Sequence, residues 1–200
     1  MLAKTRRFTN MYIKEILHNK KFGRVLNLGC GSDKDKEGNV YSDYFKFDEM
    51  IKIDPRTDIA IIPIKKLKGG AVIRHIVCGG EDMPLDDNSI DFLFMLRVLN
   101  KYQSSKSERV HSKQSASPDA MEESVEKIWE ECLRVLRPDS ELLISYADNY
   151  GDKDWIEKCR GMISEEFCPK EVFRYETDND HFKGERVTGK IIEVFYGKRK

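Results

Sequence analysis

An excess of either charge sign is missing from this chain. Its 35 Lys and Arg balance its 35 Asp and Glu, leaving a formal net charge of zero over 200 residues. A protein built mainly to hold nucleic acid carries a clustered basic excess, so that role is disfavoured, although a small anionic substrate is not excluded. Paired cysteines are missing too. Cys30, Cys78, Cys132, Cys159 and Cys168 are odd in number, scattered and never in a CxxC pair. This excludes a disulfide framework and gives no zinc spacing, so reduced thiols and no metal site are expected. There is no apolar run of membrane-spanning length, and the start MLAKTRRFTNMYIKEIL lacks the uninterrupted apolar segment of a secretory signal. The expectation is a cytoplasmic protein without a membrane span.

What is present suits one ordinary domain, 1–200. A chain of this size buries about 70% of the surface it exposes when unfolded. Phe8, Tyr12, Ile16 and Leu17 fall on one face of an N-terminal helix, with Thr9 or Asn10 as its cap. Val25 to Leu28 reads as a strand buried on both faces, and four more strand-like runs follow: Glu49 to Asp54, Ala71 to Val77, Ser89 to Leu96 and Glu141 to Ala147. Helical connections between such runs predict an α/β fold with a doubly wound sheet. The clearest helix starts with Ser117 as cap and Pro118 in its first turn, repeats Met121, Val125, Ile128, Trp129, Cys132, Val135 and Leu136, and is ended by Pro138. Trp155, Ile156, Cys159, Met162 and Ile163 mark a second helix. Val172 to Thr177 and Lys190 to Gly197 predict an antiparallel terminal hairpin. The Ser- and Lys-rich segment 103–119 fits no element and reads as a polar insertion, either a connector or a lid.

The chemistry is concentrated in VLNLGCGSD, Val25 to Asp33. A glycine turn after a buried strand lets backbone approach a ligand closely, and amides there can hold a carboxylate or phosphate. In open α/β sheets this crevice, beyond the strands' carboxyl ends, is where ligands bind, so Gly29 and Gly31 are expected to line a site. The dinucleotide fingerprint requires a glycine where Lys34 stands, and a GxxxxGK[ST] loop is absent. That leaves a nucleoside ligand without a pyrophosphate. Asp54, 25 residues after Gly29, ends the second strand where a carboxylate can accept from both ribose hydroxyls; the alternative is a turn residue before Pro55.

VLNLGCG, then IKIDP, then GGEDMPLDDNSIDFLF, then EECLRVLRPDSELLIS, together spanning about Val25 to Ser145, resembles the ordered motifs of class I S-adenosylmethionine-dependent methyltransferases. The resemblance implies a Rossmann-like, seven-stranded, mostly parallel sheet of order 3-2-1-4-5-7-6 with strand 7 antiparallel. It implies S-adenosylmethionine as cofactor, with Gly29, Cys30 and Gly31 beside its methionine part, Asp54 on its ribose, and Glu81, Asp82 and Met83 around its adenine. Leu96 and Arg97 would face the transferable methyl group. Three positions depart from the family: Asn27 stands where an acidic residue is common in the first strand, Asp33 where a third glycine is usual, and Gly79 where an acidic residue often precedes Glu81 by two. Asn27 can still accept a hydrogen bond and stays among the cofactor-site residues; Asp82 is the candidate to compensate for Gly79.

The stretch GSDKDKEGNVYSDYFKFDEMIKID also resembles methyltransferases encoded with cell-surface glycan enzymes. Read as physics, its Tyr41, Tyr44, Phe45 and Phe47 pack an irregular segment on the sheet. An NPPY-like tetrapeptide after strand four is replaced by LRVLN, Leu96 to Asn100, which disfavours nucleobase amino groups and leaves a small-molecule or glycan acceptor. No catalytic residue is singled out. Transfer from a sulfonium relies on proximity and alignment and needs a base only if the acceptor must lose a proton. His75, His111, Tyr146 and Asp148 are the candidates. The competing reading is a methyltransferase-fold binding module without turnover, motivated by Asn27, Asp33 and Gly79. An RNA methyltransferase is a third.

Overall fold

The computed structural model describes residues 13–30, 43–55, 64–96, 118–147, 153–177, 180–182, 185–187 and 190–200. A short helix at 13–17, α1, precedes β1 (Lys21–Leu28), β2 (Lys46–Ile53), β3 (Ile64–Lys66), β4 (Val72–Ile76) and β5 (Ile90–Leu96). Then come α2 (Pro118–Val135), β6 (Leu136–Ala147), α3 (Lys153–Glu166), β7 (Phe167–Thr177), β8 (Asp180–Phe182), β9 (Glu185–Val187) and β10 (Lys190–Arg199). The main sheet runs β3-β4-β2-β1-β5-β6-β10-β7, with β4, β2, β1, β5 and β6 parallel and β10 antiparallel to both neighbours.

Alternation along the strands divides the core between two faces. Leu26, Leu28, Ile51, Ile53, Leu93, Met95, Leu142 and Ile144 meet Val125, Trp129 and Cys132 of α2 and Trp155, Ile156 and Cys159 of α3 on one. Val25, Met50, Ile73, Phe92, Phe94 and Leu143 meet Ile13 and Leu17 of α1 and the aromatic run Tyr44, Phe45, Phe47 on the other. The Phe22 and Phe92 rings stack at 4.2 Å, with Phe45 set edge-on against both. The expected aromatic packing of this irregular segment is therefore present for Tyr44, Phe45 and Phe47. Tyr41, the N-terminal members Phe8, Thr9, Asn10 and Tyr12, and the cap Ser117 lie outside the described residues.

The doubly wound α/β class holds, with one correction to the count. Eight strands form the sheet where seven were implied, because β3 adds antiparallel to the outer edge of β4. Its three residues are all exposed and leave no alternation to read. Without β3 the order is the implied 3-2-1-4-5-7-6. The terminal hairpin is longer than expected on both sides, and the polar segment between its strands carries the separate two-stranded β8-β9 pair.

The helix α2 stops at Val135, three residues ahead of Pro138, and β6 begins at once. Proline disfavours helical backbone in the residue before it. Asp139 then takes a left-handed φ of 65°, and the β5–β6 register slips between Ile90 and Phe92.

Candidate functional site

Two neighbouring strand ends build the centre of the site. Leu28 and Ile53 are register partners at the carboxyl ends of β1 and β2, so the next residues, Gly29 and Asp54, come side by side. Gly29 has a φ of 64°, a backbone conformation that side chains resist and glycine adopts freely. Its amide donates to the Ile53 carbonyl at 2.7 Å, and the Cys30 amide to the same oxygen at 3.3 Å. This differs from the expected anion-holding turn. Within the described part both amides are directed at β2, so the turn fixes itself to the strand that carries Asp54. The Asp54 amide in turn donates to the Ile76 carbonyl at 3.4 Å, tying β2 to the end of β4. Gly29 and Cys30 stay partly open, and Asp54 is 5% exposed. Gly31, Asp33 and Lys34 lie outside the described residues.

Asn27 is 4% exposed and pairs in register with Lys52 of β2, itself 4% exposed. Lysine is almost never fully buried, so a cation here, two residues before Asp54, is a feature of the ligand end that motif reading missed. The available signal was Lys52 standing among Met50, Ile51 and Ile53, where a strand buried on both faces leaves its side chain no exit to water.

The expected adenine residues sit on the connection from β4 to β5. Glu81 and Asp82 are exposed, whereas Met83 is buried in the core under α2, so it supports the loop from below. The Glu81 carboxylate accepts from the Ser124 hydroxyl of α2. A side chain at Gly79 would collide with the Glu81 Oε2. That oxygen is the movable end of an exposed side chain, so the Glu81 carboxylate, rather than that of Asp82, sits beside residue 79 without requiring glycine there. Cys78 is half-buried next to them; burial first, then the charges of Asp82 and Glu81, push its thiol up.

Further along, this connection is laced to α2. The Met83 amide donates to Glu131 Oε2 at 2.9 Å. Arg134 donates to the carbonyls of Met83 at 2.9 Å and Leu85 at 2.8 Å, to Asp87 at 2.6 Å, and through two nitrogens to Glu131. The Asn88 and Ser89 amides donate to the last carbonyls of the helix, those of Arg134 and Val135. Neither helical spacing nor motif order in the EECLRVLRP stretch shows what its polar side reaches.

Leu96, at the end of β5, is partly buried on the face that also carries Phe94 and Asn27. Arg97, His111 and Asp148 lie outside the described residues, as does most of the 103–119 insertion. Of the candidate bases, His75 is half-buried on β4 as the register partner of Lys52. Tyr146 is unsuited to the role. Its hydroxyl donates to the buried Glu193 of β10, and burial, then that carboxylate, push the phenol well above its ordinary value. Among the described residues no group of three His, Cys, Asp or Glu converges as a metal site, and no helix is long and apolar enough to cross a membrane.

A sheet whose last strand enters antiparallel between β6 and β7 is the sheet of the class I S-adenosylmethionine-dependent methyltransferases, and the sequence match agrees with it. The sequence pattern of the methyltransferase domain matches residues 26–144, more than half of the chain. The chain belongs to this methyltransferase family, and its cofactor is S-adenosylmethionine. Many solved structures share the fold. One, from Bacillus halodurans C-125 and itself only provisionally assigned as a methyltransferase, has a TM-score of 0.60 at 10% identity, over 96% of this chain and 98% of that one. The N-methyltransferase NodS from Bradyrhizobium japonicum WM9, in complex with S-adenosyl-L-homocysteine, has a TM-score of 0.57 at 11% identity over 98% and 87%. A methyltransferase from Methanosarcina mazei has 0.54 at 14% over 88% and 91%. At these identities the likeness speaks for the fold. No curated protein matches the chain significantly.

Proposed function

We propose that this enzyme methylates a small-molecule or glycan hydroxyl or carboxylate, with its cofactor held across the ends of β1, β2 and β4. The observation that carries the cofactor placement is the junction at the Ile53 carbonyl, which draws the Gly29–Cys30 turn against the strand that leads into Asp54. The residues present fit the cofactor: a turn that opens on a glycine, a strand-end carboxylate beside it, and an acidic loop on the next strand. When bound, S-adenosylmethionine supplies a methyl group already activated on a sulfonium.

The protein's part is binding and alignment. Asp54 accepts hydrogen bonds from the ribose hydroxyls, and Gly29 and Cys30 line the amino-acid end. Glu81 and Asp82 flank the adenine above Met83, while Asn27 and Leu96 close the face toward the acceptor. A short apolar side chain at Leu96 excludes water from the path of transfer, and proximity supplies most of the rate. The zero net charge supports a small acceptor over RNA.

Calorimetry with S-adenosylhomocysteine tests the cofactor site. Asp54→Ala is expected to weaken binding at least about tenfold, the loss for a hydrogen-bonded charge. Equal affinity in the two proteins would remove Asp54 from the site. Radiolabelled methyl transfer to panels of hydroxylated and carboxylated small molecules, glycans and RNA tests the acceptor class; transfer to RNA alone would overturn it.

A further inference from the structure

The connection from β4 to β5 crosses over β2 and β1 without a helix of its own. Parallel neighbours are ordinarily joined through a helix that satisfies its own backbone, and buried amides and carbonyls left without partners are costly. Here the partners come from α2. Glu131 takes the Met83 amide, and Arg134 takes the Met83 and Leu85 carbonyls and the Asp87 carboxylate while gripping Glu131. A planar guanidinium with fixed donor directions suits such a fork; an ammonium does not. Both chain atoms of Met83 that can hydrogen-bond are therefore held by one pair of side chains, one and two residues beyond Asp82 and Glu81.

We propose that Glu131 and Arg134 are positioning residues for the purine end of the cofactor site, setting the Glu81–Asp82 segment through their hold on Met83. The proposal rests on the adenine placement given above. Neither residue touches the ligand. Arg134 lies three residues after Glu131 on the same helix face, so the two side chains pair within the helix itself and present one joined group to the connection. The Ser124–Glu81 contact, from the same helix two turns earlier, aims the carboxylate that the clamped segment carries.

The test compares S-adenosylhomocysteine with its inosine analogue, which lacks the purine amino group, by calorimetry on full-length protein. Folded wild type is expected to bind the adenosine compound and to prefer it over the analogue. Arg134→Lys, confirmed folded by circular dichroism, is expected to lose about tenfold in affinity for the adenosine compound and most of that preference. A purely structural clamp would lower the melting temperature and leave the preference intact, and that result overturns the proposal. If Arg134→Lys does not fold, Glu131→Gln decides by the same two readouts. Wild type that is folded and binds neither compound overturns the cofactor reading itself. Wild type whose affinity depends on Asp54 but is unchanged in both clamp variants overturns the clamp alone.

Discussion

Cys30, Cys78, Cys132, Cys159 and Cys168 are one residue type in three environments. Cys132 of α2 and Cys159 of α3 are buried against the sheet, and burial pushes both thiols up to about 12. The thiolate is the reactive form, so neither is expected to react in the native protein. Cys168 is exposed on β7, far along the sheet from β1 and β2. Cys30 and Cys78 are partly open at the ends of β1 and β4. Iodoacetamide labelling read by mass spectrometry is expected to mark Cys168 with or without ligand, and Cys30 only until S-adenosylhomocysteine covers it. Cys78 is expected to label slowly because its thiol is raised. Undiminished labelling of Cys30 at saturating ligand would move the ligand away from the glycine turn.

At the scale of elements, α2 and α3 are attached to the sheet by charge as well as by apolar packing. Arg160 of α3 donates to both oxygens of Glu193 on β10, at 3.2 Å and 2.7 Å, and Tyr146 of β6 donates to the same carboxylate. Glu193 is 2% exposed, whereas the Arg160 side chain keeps 39% of its surface in water, so screening limits what the pair contributes. Glu193→Gln removes a buried charge but leaves a polar atom in place. We expect a loss of about 1–3 kcal/mol by urea denaturation, the usual range for a hydrogen bond to a charged group. A loss below ~0.5 kcal/mol would mean that α3 is held by its apolar face alone.

The same attachments govern acid sensitivity. At Glu193, burial favours the neutral acid, but Arg160, Tyr146 and the charge of Arg174 together hold the carboxyl below its ordinary value of 4.5. Glu141 is likewise lowered by Lys170, Tyr196 and Lys20 against its burial, and Glu131 chiefly by its hydrogen bond from Arg134. A carboxyl depressed in the folded state stabilises it fully above the unfolded value and loses that contribution as pH falls through the folded one. Stability measured by denaturant is therefore expected to be flat from neutrality down to about pH 5, then to fall. A protein equally stable at pH 3 and pH 7 would contradict all three shifts.

At the scale of the molecule, eight strands among the described residues form one continuous sheet with a core cluster on each face, and the proposed cofactor site spans three strand ends of it. Ligand bound to the folded state alone adds stability by mass action, about 2.7 kcal/mol at a hundredfold excess over Kd. S-adenosylhomocysteine is therefore expected to raise the melting temperature, with nicotinamide dinucleotide giving no shift. The reverse ranking would reinstate a dinucleotide site despite Lys34.

Order along the chain was legible wherever burial is two-sided or strictly periodic. Val25 to Leu28, Phe92 to Met95 and the α2 stripe had to be central strands or a covered helix, because apolar side chains at those spacings have nowhere else to go. The motif order was enough to identify the methyltransferase class, and the Gly29 turn followed by Asp54 was enough to suggest an adenosine ligand. Packing alone decided what depends on neighbours distant in sequence. The short edge strand β3 carries no periodic signal. The direction of the Gly29 and Cys30 amides follows from the β1–β2 register, and the place of the Glu81 carboxylate beside Gly79 is set by its hydrogen bond from Ser124 of α2. Tyr146 lost its place as a base only when β10 brought Glu193 beside it. Periodicity is a property of local geometry, written residue by residue, whereas hydrogen-bond partners are chosen when remote segments meet.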